Sequence, residues 1–304
     1  MVWFEKLISN INIGPLTYRN ILAPDGGPIQ EIKSCQLDSG LYEAYAYLKS
    51  QMTATNSNIL YGDCDGTGTS AQLWEAQAIA ISEALERWAF YECRNLWKDK
   101  IPSSIHSTGF AAFPGLNSKK VRENALSEAL ERWTLAQLAL GRKLGFQKLS
   151  LTEGVELRDG MSLRFESWGR EFVLLRQEFQ VGAKKVLSYG FSCDLNRNDA
   201  VRRAKIEMHR NQAVLNKFYL NPKNELKDLF EKRVIHFSYP ENDFLKKTTD
   251  SFGQISKLNK NELPVLIIDE SLPGPWTQYA KVWRCFFELP SECLDKNKVD
   301  FFWF

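Results

Sequence analysis

The heptapeptide SEALERW occupies Ser82–Trp88 and recurs, letter for letter, at Ser127–Trp133. Repetition at this length marks a repeated structural unit and constrains the fold more than any other stretch of the chain. Each copy lies in a segment free of Gly and Pro, from Ser70 to Arg94 and from Leu116 to Leu140. Small and apolar residues fall at three- and four-residue spacing in both: Leu73, Ala76, Ala80, Ala84 and Trp88, then Val121, Ala125, Ala129 and Trp133. The spacing predicts two long helices, each burying one face.

The surroundings of the two helices repeat as well. LYEAYAYLKS (41–50) alternates in the manner of a strand, and NILYGDCDGTGTS (58–70) reads as a second short strand closing in a glycine-rich turn. The N–H groups of that turn are candidates to hold an anion. An extended IHSTGFAAFPG (105–115) leads into the second helix. Strands at 163–168, 170–181 and 184–194 precede a third helix over 198–219. The phrase strand, turn, long helix therefore occurs three times, over about 41–97, 102–140 and 160–220, with 1–40 peripheral. Beyond Asn221 the pattern predicts short helices at 224–233 and 241–249, strands at Pro264–Ile268 and Ala280–Glu288, and an aromatic tail, KVDFFWF, docked on the body. With no charged or Pro/Gly/Ser-rich linker, the expectation is one α/β domain over 1–304.

Charge and cysteine usage exclude several classes of function. A net charge of +2 offers no global field for nucleic acid or an anionic membrane. No apolar run approaches the roughly 18 residues of a spanning helix, and MVWFEKLISN lacks the build of a secretory signal. The six cysteines contain no CxxC spacing, which argues against zinc or a redox pair and for a reduced, cytoplasmic protein. The basic stretch Arg202, Arg203, Lys205 and Arg210 reads as a solvated helix face, with His209 a surface residue beside it.

On a helix, Glu83 and Glu86 project together with Arg87 four residues after Glu83; Glu128, Glu131 and Arg132 reproduce the set. Taken singly, such a set is an exposed i,i+4 pair worth a few tenths of a kcal/mol. Repeated in equivalent places of a structural repeat, four carboxylates can face one another, a costly arrangement unless cations neutralise it. Hard oxygen ligands select Mg²⁺ or Ca²⁺, and arginine matches phosphate oxygens bidentately. Acids for metal beside arginines for phosphate describe a nucleotide–magnesium site, in a chain with no GxxxxGK[ST] loop and no Glu-x-x-His pair.

Over residues 40–290 the chain resembles the YcaO family, whose ATP-dependent members modify peptide backbones. The resemblance is carried by GTGTSAQLWEAQAIAISEALERW, STGFAAFPGLNSKKVRENALSEALERW, GFSCDLNRNDAVRRAKIEMHR and the late PVLIIDESLPG…YAKVWRCFFELP. It implies an α/β fold of three pseudo-symmetric strand-turn-helix repeats, with mixed sheets around a central acidic site. Metal and nucleotide would be held by Glu83, Glu86, Glu128 and Glu131, and phosphates by Arg87 and Arg132. Glu207 of the third repeat and Asn117 would complete the nucleotide contacts. At other family positions this chain differs: Ile79 stands for a serine, Lys120 for a glutamate, Asn124 for a glutamine, and Gly66-Thr67-Gly68 for a glycine-lysine-glycine turn. Lys120, if turned inward, would supply positive charge in place of a metal.

The activity so implied is ATP- and Mg²⁺-dependent modification of a backbone amide in a ribosomally made peptide, giving an azoline or a thioamide through a phosphorylated hemiorthoamide. No covalent nucleophile is required, and none is evident. The implied partners are a precursor peptide and a leader-binding or activating-enzyme-like protein, with a homodimer as a further arrangement. Ile79, Lys120 and Asn124 favour the rival reading, a non-catalytic YcaO-like subunit that binds peptide or stabilises a partner enzyme; two intact ExxER copies favour the enzyme.

Overall fold

The computed structural model describes residues 18–49 except 19, 64–97, 109–114, 118–150 except 143, 159–221, 229–245 except 244, and 264–289. Backbone contacts divide the chain into two compact units, Met1–Leu126 with Ile267–Phe286, and Ser127–Leu266 with Phe287–Phe304.

In the first unit, β1 (Ile29–Gln36), β2 (Tyr42–Leu48) and β3 (Gly66–Ser70) form an antiparallel sheet in that order, and α1 (Leu73–Cys93) packs against it. A second sheet runs β4 (Phe110–Phe113), β10 (Lys281–Phe287), β9 (Leu266–Ser271). The helix α2 (Ser118–Ala139) starts in the first unit and continues in the second from Ser127. The second unit carries β5 (Gln147–Ser150), β6 (Asp159–Phe165), β7 (Arg170–Val181) and β8 (Lys184–Asp194) as an antiparallel sheet in chain order. There α3 (Arg197–Leu220) packs on β7 and β8, followed by α4 (Leu229–Ser238). Each strand pairing described is antiparallel, in place of the mixed sheets expected.

Local chemistry explains the third phrase well. Val181 pairs with Lys184, so the β7–β8 turn has two residues, and Gly182 supplies the left-handed φ of 58° that such a hairpin needs. Asn196 then caps α3, its side chain accepting from Asn198 N at 2.8 Å.

Glycine decides how closely strand and helix approach. A Cβ on Gly66 would lie 2.1 Å from Ala80 O and 2.5 Å from Ala84 N; on Gly68 it would lie 2.0 Å from Ala76 O. The second unit repeats the contact, since a Cβ on Gly190 would lie 1.9 Å from Ala204 O and 2.6 Å from Met208 N. Strand backbone thus rests directly on helix backbone, over a helix face reduced to alanine. Ala76, Ala80 and Ala84 are fully buried in α1, and Ala200, Ala204 and Met208 join Leu149, Val173 and Leu175 in the core of the second unit.

The glycine-rich segment before α1 is therefore not a turn, as its composition predicts, but the strand β3 itself. Two further strands, β1 and β5, have no counterpart in the sequence reading. The helix expected at 224–233 begins at Leu229 among the described residues; most of the one expected at 241–249, and the aromatic tail 301–304, lie outside them. No helix of the described residues is long and apolar enough to cross a membrane.

Adding a methyl at Gly66 or Gly190 must separate strand from helix, so Gly66→Ala and Gly190→Ala should each cost about 3 kcal/mol, the upper part of the usual overpacking range. Gly141→Ala meets nothing within 4 Å and only strains a φ of 67°. It should cost about 1 kcal/mol, and urea unfolding of the three variants checks the contrast.

Candidate functional site

Each copy of the heptapeptide sends its apolar letters into a core. Ala84 and Leu85 are fully buried in α1, Ala129 and Leu130 nearly so in α2. Trp88 meets Trp276 edge-on with ring centres 5.7 Å apart, and Trp133 meets Phe165 likewise at 6.0 Å. The two serines dock their helices on different elements. Ser82 Oγ shares a hydrogen bond with Tyr18 Oη at 2.8 Å, whereas Ser127 Oγ accepts from Arg170 Nε at 2.9 Å. Burial pushes the Tyr18 phenol well above its usual range, the Ser82 bond opposing and the Glu86 charge reinforcing the shift.

In the first unit the acids turn onto strand edges. Glu83 Oε2 accepts two hydrogen bonds from Thr67 of β3, from its N–H and its hydroxyl, both at 2.8 Å. Its other oxygen, Oε1, accepts from Arg87 Nη2, and Arg87 Nη1 donates to Cys64 O at 3.0 Å. Arg87 is 5% exposed, so this is a buried brace and not the exposed i,i+4 pair that a single copy would suggest. Glu86 Oε1 accepts from Ala112 N of β4 at 2.8 Å. Ile79 stands 42% exposed on the same helix.

The second unit holds a looser set. Arg132 lies 3.8 Å from Glu128 and 3.8 Å from Glu131, beyond hydrogen-bond reach of either, with its guanidinium 5.7 Å from the Phe191 ring centre. Glu131 accepts a backbone hydrogen bond from Cys193 of β8. Burial nevertheless raises its pKa to about 7; Arg132, the Cys193 N–H and Arg203 pull it down, and Glu207 pushes it up. Burial likewise lifts the Cys193 thiol well above its usual value, with Glu131 adding to the effect. Glu207 accepts from Arg210 Nη2 at 2.7 Å, and Arg210 sits over Phe230 at 5.0 Å.

Other expected residues are placed with less consequence. Lys120 and Asn124 are half-buried on α2, and Asn117 lies outside the described residues. Arg202 and Arg203 are exposed and pair with Asp199 and Asp194, whereas Lys205 and Arg210 are half-buried, so only the first half of the basic stretch is a solvated face. His209 is half-buried and bonded to Gln212, not a surface residue. Glu83 and Glu86 belong to the first unit, Glu128, Glu131 and Glu207 to the second. Among the described residues, no three His, Cys, Asp or Glu side chains gather closely enough to hold a metal ion. Sequence reasoning missed Thr67, Ala112 and Cys193, whose backbone N–H groups receive the glutamates. Only the hydroxyl of Thr67 carries a signal that residue type could reveal.

Glu131, only 14% exposed, has Arg132 3.8 Å away, and burial outweighs the pull of that guanidinium and of Arg203. A carboxylate whose burial the neighbouring guanidinium groups offset only in part is one on which a further cation would act favourably.

The same shift fixes a pH dependence. Because folding raises the value from 4.5 to about 7, the contribution of Glu131 to stability is fully present below pH 4.5 and is lost as pH rises through 7. A Glu131→Gln variant keeps the oxygen that accepts from Cys193 and removes the charge. Denaturant melts without nucleotide should find it equal to wild type near pH 4.5 and more stable by roughly 2–3 kcal/mol at pH 8.

No protein-family model matches the sequence, and no curated protein matches it. Solved structures match in fold. A heterocyclase in complex with substrate and cofactor aligns with a TM-score of 0.55 at 13% identity, over 89% of this chain and 51% of its own. The chain thus spans about half the length of that protein. YcaO from Methanopyrus kandleri, bound with AMPPCP and Mg²⁺, aligns with a TM-score of 0.53 at 14% identity, over 93% of this chain and 89% of its own. The E. coli microcin synthetase McbBCD complex with pro-MccB17 bound aligns at 0.53 and 12%, over 85% and 87%. The chain has the YcaO fold, carried on a sequence far diverged from the solved examples.

Proposed function

We propose that this protein is an ATP- and Mg²⁺-dependent enzyme that modifies a backbone amide of a ribosomally made peptide, of the azoline- or thioamide-forming type. The observation that carries the reading is the buried carboxylate of Glu131, whose burial Arg132 offsets only in part, beside Glu207, in a chain with the fold of a protein solved with AMPPCP and Mg²⁺. ATP, when bound, would supply the phosphoryl group that turns an amide oxygen into a leaving group.

The protein's own residues bind and orient. Glu128 and Glu131 would take the ion, with Glu83 and Glu86 as the matching pair of the first copy. Arg132 would reach the phosphates, being 17% exposed on its side chain where Arg87 is 6% exposed and braced against Glu83 and Cys64. Arg87 then acts by holding Glu83. Glu207 and, on α2, Lys120 and Asn124 would complete the nucleotide contacts, with Asn117 nearby in sequence. The three sequence repeats would form a pseudo-symmetric set, a reading supported by the recurrence of the glycine–helix contact at Gly66 and Gly190.

A precursor peptide is the fitting substrate class, and a second protein the fitting partner. The heterocyclase was solved with substrate, and McbBCD is a complex with pro-MccB17 bound.

Calorimetric titration of ATP with Mg²⁺ tests the proposal. Wild type should bind, and Glu131→Gln should lose at least tenfold in affinity, as expected when a metal-site carboxylate is removed. Absence of heat with wild type would leave the non-catalytic, peptide-binding subunit as the reading of the fold.

A further inference from the structure

The two copies of SEALERW leave unequal room for a cation. In the first, the carboxylate of Glu83 is filled. Its Oε2 accepts from Thr67 N–H and from Thr67 Oγ1, each at 2.8 Å, which engages both lone pairs of that oxygen. Its Oε1 is in direct contact with Arg87 Nη2. In the second, Arg132 stands 3.8 Å from Glu128 and from Glu131. We propose that Arg87 is the resident cation of the first copy: its guanidinium permanently fills the place at which a metal ion would meet Glu83, and that acid takes no part in holding an ion. The inference rests on the nucleotide–magnesium reading and narrows it, because of the two matching acid sets only the second is left to hold the ion.

An incoming ion has no means of displacing this guanidinium. Arginine cannot shed its proton in a protein, so its charge stays. The Arg87 side chain is 6% exposed, and its Nη1 donates to Cys64 O at 3.0 Å. Swinging away would break that bond and leave a buried charge without its partner. An ion approaching Oε1 would meet like charge at close range, where water screens little. The strand side is closed as well. Gly66 and Gly68 lay β3 directly on the α1 backbone, so Thr67 stands at a fixed height and cannot withdraw its two donors. Glu83 and Arg87 together therefore brace α1 against Thr67 and Cys64, with a cation supplied by the chain itself.

The test is titration of Mn²⁺ into the full chain with AMPPCP, read by electron paramagnetic resonance, beside urea unfolding without either. Glu83→Gln keeps the shape of the side chain and removes its charge. It should bind Mn²⁺ within about twofold of wild type, whereas Glu131→Gln should lose at least tenfold, the usual cost of a lost metal-site carboxylate. Glu83→Gln should also unfold at lower urea, because Arg87 is left without its partner. The double variant Glu83→Gln/Arg87→Met removes both charges, should regain much of that loss, and supplies a folded protein if the single variant does not fold. A tenfold loss of Mn²⁺ affinity in a folded Glu83→Gln or double variant overturns the inference. A wild type that takes up no Mn²⁺ with AMPPCP overturns the nucleotide reading instead. The brace is then judged on unfolding alone: coupled losses in the double-mutant cycle support it, and additive losses overturn it.

Discussion

Direct contact between strand backbone and helix backbone is the constraint from which the remaining geometry follows. With Gly66 and Gly68 of β3 lying on Ala76, Ala80 and Ala84 of α1, the flank of the helix comes level with the edge of the sheet. A glutamate on that flank can then reach the N–H groups the edge strand leaves unpaired. Glu83 does so at Thr67. Any larger residue in place of the glycines would lift the strand by an ångström or more, and hydrogen bonds at 2.8 Å do not survive that displacement. One small-residue choice therefore serves packing and places an acid.

The strands that receive the glutamates share a position in their sheets. β3, β4 and β8 each lie at one end of the strand order, and each gives an N–H to a glutamate of the repeated motif: Glu83 at Thr67, Glu86 at Ala112, Glu131 at Cys193. A backbone N–H that is buried and takes no part in a ladder needs an acceptor, and a carboxylate supplies one through a charge-assisted hydrogen bond. The acids of the motif thus have work in the fold before any ion is considered, which helps a sequence keep clustered carboxylates at all.

What the sequence made legible follows the same physics. The long helices were readable because alanine and tryptophan recur at helical spacing, and β7 and β8 because apolar runs flank a hairpin glycine. β3 reads as a turn in the sequence because glycine is a turn former by local preference, and only the helix lying against it makes glycine the right residue in a strand. β1 was missed because it is exposed along most of its length and offers no alternation to detect. At the site, periodicity could place Glu83, Glu86, Glu128 and Glu131 on helix flanks but could not name their partners. Those partners are backbone N–H groups, which every residue but proline possesses, so no residue type announces them.

The two copies of SEALERW show how little of an electrostatic environment a motif contains. In the first, glutamate and arginine are in direct contact, and the arginine's second nitrogen is committed to Cys64 O. In the second, the arginine stands 3.8 Å from both glutamates and faces the ring of Phe191. The letters are the same; the strands beside them are not. A threonine hydroxyl and a nearby carbonyl close the first set, whereas the second receives one N–H and an aromatic face. Burial of Glu131 is then offset only in part by a guanidinium held at that distance. Repetition of sequence has produced one acid braced by its arginine and one whose burial its arginine offsets only in part.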